Sequence, residues 1–221
     1  MASPDKPQIL LLCLAYRPSL DLMYPSLFRR LSEVAHVKRA ENPTTALREM
    51  AENTFKVIIF ADEGLADYPV LDHLEVLDKV KAYVQNGGIA IVGLHFPCAS
   101  QTSIDMFFKH FDLPWWCGSY YLTDVQLNPS ADLPEGTATS SLPETHTMRA
   151  LHVANAGARE RVYVPVEGKT KPTFGLDPEE SVTQAVVAAA RIGQGYLVYC
   201  GDVNPEQASG HVILAFCGVE I

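Results

Sequence analysis

Residues 87–98, GGIAIVGLHFPC, constrain this chain more than any other stretch. A glycine pair stops a helical run, an apolar strand follows at once, and the strand breaks at Leu94-His95-Phe96-Pro97-Cys98. Short apolar runs without alternation are buried on both faces, as strands of a parallel sheet are. The same character recurs in QILLLCLA (residues 8–15), KVIIFA (56–61) and GYLVYC (195–200).

Between these runs the apolar period changes to that of a helix. Leu20, Met23, Leu27, Leu31 and Val34 share one face, with Tyr24-Pro25 either splitting that helix or marking its true start. Residues 36–40 suit a short second strand, and 44–53 a helix capped by Thr44 or Thr45. Val70, Leu74, Leu77, Val80 and Val84 predict a helix over 69–85 that Asn86-Gly87-Gly88 ends. Ser100 is placed to cap a helix over 101–111, with Ile104, Phe107, Phe108 and Phe111 inward.

The alternation of strand and helix predicts an α/β fold: a doubly wound, mostly parallel central sheet flanked by helices, with right-handed crossovers. Residues 183–191 and 195–200, turning at Ile192-Gly193-Gln194, predict a C-terminal β-hairpin elaboration before a last helix over 211–217. The whole chain reads as a single domain with a loose lead-in at 1–7. Residues 114–181 read as an irregular elaboration with short strands at 151–154 and 161–166 and a loop over 167–181.

Nearly half of the 221 residues are hydrophobic, enough for a real core, and the net charge of −9 disfavours nucleic acid as a partner. No apolar run approaches the ~20 residues of a membrane span, and the basic flank of a signal peptide is missing. The five cysteines show no CxxC spacing, so a reducing, cytoplasmic setting is expected, with neither zinc nor a disulfide framework. No GxGxxG, GxxxxGK[ST] or HExxH occurs, so no cofactor and no metal are expected.

An open parallel sheet binds ligands beyond the carboxyl ends of its strands. Those ends carry Tyr16 and Arg17; Asp62, Glu63 and Gly64; His95, Phe96 and Cys98; and Asp202, Asn204 and Glu206. His95 is the candidate acid/base, since imidazole titrates near neutral pH. Asp62 and Glu63 are candidate assisting carboxylates, or caps of the next helix. Cys98 is a candidate nucleophile that lies several residues past the strand, beyond a proline, where a nucleophile elbow does not put one. The remaining residues of the set are candidate ligand contacts. Trp115, Trp116, Tyr120 and Tyr121 could stack on a sugar, cover a small core or form a homodimer surface.

The run LDKVKAYVQNGGIAIVGLHF, the FADEG that follows the preceding strand and the late GQGYLVYCGDVNPEQ together resemble the class I glutamine amidotransferase-like superfamily. The resemblance is closest to its trehalose-utilisation (ThuA-like) branch, and it spans about residues 8–112 and 183–218. It implies a flavodoxin-like fold and a link to sugar metabolism. It also implies what is lost. The family's elbow cysteine is replaced by Leu94 or His95, and Asn204-Pro205-Glu206 stands where the family has His-Pro-Glu. Glutaminase activity is therefore not expected. Binding of a small molecule or partner without that activity is the first expectation. An enzyme on a small polar or sugar-like substrate, with His95 as acid/base, is the second, and an oligomeric interaction protein using residues 114–121 is the third.

Overall fold

The computed structural model describes residues 6–66, 71–166 and 183–220. Its centre is a run of five strands, β1 (Gln8–Leu12), β2 (His36–Ala40), β3 (Val57–Phe60), β4 (Ile89–Val92) and β9 (Gly195–Cys200). They lie in the order β2-β1-β3-β4-β9 and every neighbouring pair is parallel. The pattern of the apolar runs explains this. Alternate residues of each strand serve two cores: Ile9, Leu11, Ile59 and Ile91 in one, Leu10, Leu12, Ile58 and Phe60 in the other, all at most 2 % exposed.

Helices supply the other wall of each core. On one face lie α1 (Ser19–Met23), α2 (Pro25–Val34) and α6 (Gln207–Phe216). On the other lie α3 (Pro43–Glu52), α4 (Leu71–Gln85) and α5 (Gln101–His110). Tyr24-Pro25 does split the first helical stretch, and Pro25 opens α2, where a missing N–H costs nothing. Ser100 caps α5 by accepting from the Ser103 N–H at 3.1 Å. The cap of α3 is Asn42, not Thr44 or Thr45: its side chain accepts from the Thr45 N–H at 2.9 Å, and Pro43 takes the first helical position.

The second half of the sheet departs from the expectation of a mostly parallel sheet with a terminal hairpin. The β9–β8 hairpin forms, β8 being Val187–Ile192. The sheet then continues antiparallel through β7 (Arg161–Pro165), β5 (Trp116–Leu127) and β6 (Thr145–Ala154). The nine strands thus make one mixed sheet with four parallel and four antiparallel pairings. The stretch expected to be an irregular elaboration supplies three of its strands: the expected short strands at 151–154 and 161–166 fall in β6 and β7, while β5 and the first part of β6 extend beyond that expectation. In β5, Tyr121, Thr123 and Val125 are buried while Tyr120, Leu122 and Gln126 are exposed. Such a half-wet strand has no continuous apolar run, and its outward positions mix Tyr120 and Leu122 with Gln126.

This antiparallel half curls back on itself. Val153 and Ala185 exchange both backbone hydrogen bonds, Leu151 donates to the Gly201 carbonyl at 2.9 Å and Arg149 accepts from Val203 at 3.1 Å. The loop expected over 167–181 and most of the lead-in fall outside the described residues. Among the described residues no helix is long and apolar enough to cross a membrane.

Candidate ligand site at the switch point of the sheet

The chain leaves β1 toward one edge, to β2, and returns to build β3 and β4 on the other side. The crevice between the carboxyl ends of β1 and β3 is therefore a topological switch point, where open α/β sheets bind ligands. Three side chains meet there. Glu63 follows β3 and is 6 % exposed. One of its oxygens pairs with the Arg17 guanidinium from the loop after β1, and the other lies 3.0 Å from His95 Nδ1, from the turn after β4. Burial pushes the Glu63 carboxyl up, but its own backbone N–H, His95 and Arg17 more than offset this and hold it below its ordinary value. Glu63 is thus a carboxylate, so His95 donates from Nδ1 and a neutral ring keeps its acceptor lone pair on Nε2. The His95 side chain is 24 % exposed and that of Arg17 56 %.

Asp62 plays a different part. Oδ1 accepts from the Gly64 N–H and Oδ2 from the Ala15 N–H, each at 3.0 Å. Burial raises its pKa, against the pull of those two bonds. These two bonds tie the loop after β1 to the short 3₁₀ turn Glu63–Leu65, and Asp62 lines the recess beside Arg17, Glu63 and His95. Gly64 belongs to the same joint, pressed against the Leu14–Ala15 backbone.

Several expected members stand elsewhere. The Tyr16 hydroxyl donates to Asp21 at 2.7 Å, in a cluster with Arg39 that faces β2 and α1. Phe96 is fully buried among Phe60 and Phe107 and is a core residue. Cys98 is exposed, but partial burial and the Glu63 charge push its thiol pKa up, the wrong direction for a nucleophile. Asp202 and Glu206 line a separate void with Leu94, Tyr24 and Ser209, and this void shares no residue with the recess at Arg17, Glu63 and His95. Asp202 accepts from the Asn204 N–H at 2.9 Å and the Glu206 N–H at 3.3 Å, as a turn leading into α6 would.

Leu94 lines the void and immediately precedes His95. Its φ of 54° lies in the left-handed region, where a bulky side chain is an outlier, yet it is only 2 % exposed. The His95 N–H donates to the Ala61 carbonyl at 3.1 Å and the Phe96 N–H to the Gly93 carbonyl at 2.9 Å, which hold the turn. The backbone therefore makes the sharp strand-to-helix elbow, with a leucine at its apex. A conformation of this kind costs about 1–3 kcal/mol and persists only where the surroundings impose it.

The aromatic segment after α5 is also divided. Trp115 is 3 % exposed, its indole N–H donating to Glu160 at 2.9 Å, and Tyr121 is 1 % exposed and stacked on His152. Only Trp116 and Tyr120, each about half exposed, face outward. Trp115→Ala is accordingly expected to cost about 3–5 kcal/mol in urea unfolding, and Trp116→Ala no more than about 0.5.

No protein-family model and no curated protein matches this chain. Solved structures do. The fold is an α/β fold similar to that of ThuA-like proteins. A ThuA-like protein from Bacteroides uniformis matches with a TM-score of 0.62 at 12 % identity, over 98 % of this chain and 92 % of that one. One from Parabacteroides merdae matches with a TM-score of 0.59 at 10 % identity, over 96 % and 89 %. The mmIFT52 N-terminal domain also matches, with a TM-score of 0.59 at 11 % identity, over 96 % and 99 %. At such identities the likeness is one of fold, and a fold hosts many functions.

Proposed function

We propose that this is a ThuA-like, amidotransferase-like domain without glutaminase activity, and that it binds a small polar molecule over Arg17, Glu63 and His95. The observation that carries the reading is the convergence of those three side chains, from three separate chain segments, on the switch point, beside an elbow whose apex is Leu94. Leucine is no nucleophile, and Asn204 is no general base in place of histidine. Arg17 offers an exposed guanidinium suited to a carboxylate or phosphate group. The recess itself encloses about 10 Å3, room for a single water, so the ligand body lies across the mouth.

A second reading rests on the 3.0 Å His95–Glu63 pair. A carboxylate behind Nδ1 stabilises the imidazolium that forms when Nε2 takes a proton, which is the arrangement of a general base. Arg17 would orient an anionic substrate, His95 would remove a proton from it, and the same imidazolium would return the proton to the product.

A metabolite thermal-shift screen tests the binding site. A ligand present at a hundred times its Kd stabilises by about 2.7 kcal/mol, which for a chain of this size is a rise of about 5–10 °C. That rise is expected in the wild type and is expected to be lost in His95→Ala and Glu63→Gln. A ligand that stabilises all three proteins equally rejects the site. Turnover of the same ligand, absent in His95→Ala, would select the enzyme reading, and hydrolysis of glutamine by the wild type would refute the first reading.

A further inference from the structure

A larger cavity than the switch-point recess lies elsewhere. A groove of about 570 Å3 runs between the start of α2 and the start of α6, a size typical of small-molecule sites. Leu22, Met23, Leu27 and Leu214 give it apolar walls, and Leu22 is 81 % exposed. Arg29 and Arg30 stand on it. Arg30 meets Glu33 at 3.2 Å, whereas Arg29 is exposed and makes no ion pair among the described residues.

The inner end of the groove is polar. Tyr24 borders both the groove and the small void beyond it, where Asp202, Glu206 and Ser209 lie. Tyr24 is 8 % exposed, and its hydroxyl has no hydrogen-bond partner. A buried hydroxyl without a partner is costly, and such groups are rare unless something else satisfies them. The void beside it encloses about 10 Å3, enough for one hydroxyl-sized group. The Asp202 and Glu206 carboxyl groups disfavour an anion there, while Arg29 favours one at the rim.

We propose that this groove is a second ligand site, independent of Arg17, Glu63 and His95, and that it takes a small amphipathic organic anion bearing a hydroxyl. The hydroxyl enters the void, accepts from Tyr24 and donates toward Asp202. The apolar body lies along the leucines, and the anionic end pairs with Arg29.

Isothermal titration with ω-hydroxyhexanoate, hexanoate and hexanol tests this on the wild type, Tyr24→Phe, Arg29→Gln and His95→Ala. The wild type is expected to bind the hydroxy acid about tenfold more tightly than hexanoate, the worth of one hydrogen bond. Tyr24→Phe, which keeps the ring, is expected to erase that advantage and leave hexanoate unchanged. Arg29→Gln, at an exposed position that does not threaten folding, is expected to weaken both acids several-fold and leave hexanol unchanged. His95→Ala is expected to bind all three as the wild type does, which separates this site from the one at the switch point. Absence of wild-type binding at millimolar concentration overturns the proposal, as does a Tyr24→Phe protein that keeps the full preference for the hydroxy acid.

Discussion

Gly64→Ala is expected to destabilise the protein by about 3 kcal/mol or more and to remove ligand binding at His95 with it. A Cβ at this position would sit 2.6 Å from the Ala15 nitrogen and the Leu14 carbonyl carbon, and 2.9 Å from Leu14 Cβ. Two of those three are backbone atoms, so no side chain can swing aside. The loop after β1 would have to lift from the turn that carries Glu63. That movement would break the Ala15–Asp62 hydrogen bond and draw Arg17 off Glu63. Gly210→Ala makes the matched comparison. Gly210 lies inside α6 with nothing within 4 Å of a new Cβ, and the exchange is expected to stabilise by about 0.5–1 kcal/mol. Urea unfolding of both variants measures the contrast. A Gly64→Ala protein as stable as the wild type would mean that the joint between β1 and the turn is loose.

The second large effect is one of pH. Burial pushes Asp202 from its ordinary value of 3.8 to about 6. The folded protein therefore holds this proton more tightly than the unfolded chain does. Stability carried by that difference is present at low pH and is lost as pH rises through about 6. Two pH units at about 1.4 kcal/mol each set an upper bound of about 3 kcal/mol at neutral pH. His146 and His152, both pushed down to about 4 by burial, act in the opposite sense, since their neutral folded forms lose stability on acidification below 6.5. Glu63, held below its ordinary value, loses its contribution only below about 4.5. Comparing the wild type with Asp202→Asn cancels these other groups. Between pH 7 and pH 5 the wild type is expected to gain about 1–2 kcal/mol relative to the variant. Parallel pH profiles for the two proteins would show that the carboxyl is hydrated in the folded state.

How far the chain could be read follows from which strands are dry on both faces. The five parallel strands carry unbroken apolar runs, or sit beside strands that do, and their order in the chain showed the α/β arrangement. The antiparallel half has one wet face. Thr145, Thr147 and Arg149 alternate there with Met148 and Ala150, and nothing in that pattern stands out from a loop. The meeting of Arg17, Glu63 and His95 followed from strand ends alone. The placement of Asp202 and Glu206 in a separate void did not, because strand ends alone do not say how the turn into α6 is held, and Asp202 is taken up by the Asn204 and Glu206 N–H groups. Tyr24 was missed as a site residue for a related reason. Its proline neighbour marked a helix break, while its unpartnered hydroxyl exists only in three dimensions.

The curled antiparallel half has a further consequence, for how copies of this protein can meet. A sheet aggregates most readily through an edge that offers unpaired backbone groups in a row. At one end, β6 has its outer side engaged from Arg149 to Val153 by residues 185 and 201–203. At the other, β2 is the last strand, only five residues long, and it carries Lys38 and Arg39. Extension of the sheet from molecule to molecule is thus hindered at one end by engaged backbone groups and limited at the other by the shortness of β2. Association between copies is left to side-chain faces, and the exposed row of Trp116, Tyr120 and Leu122 on β5 is the most apolar strand face on offer among the described residues.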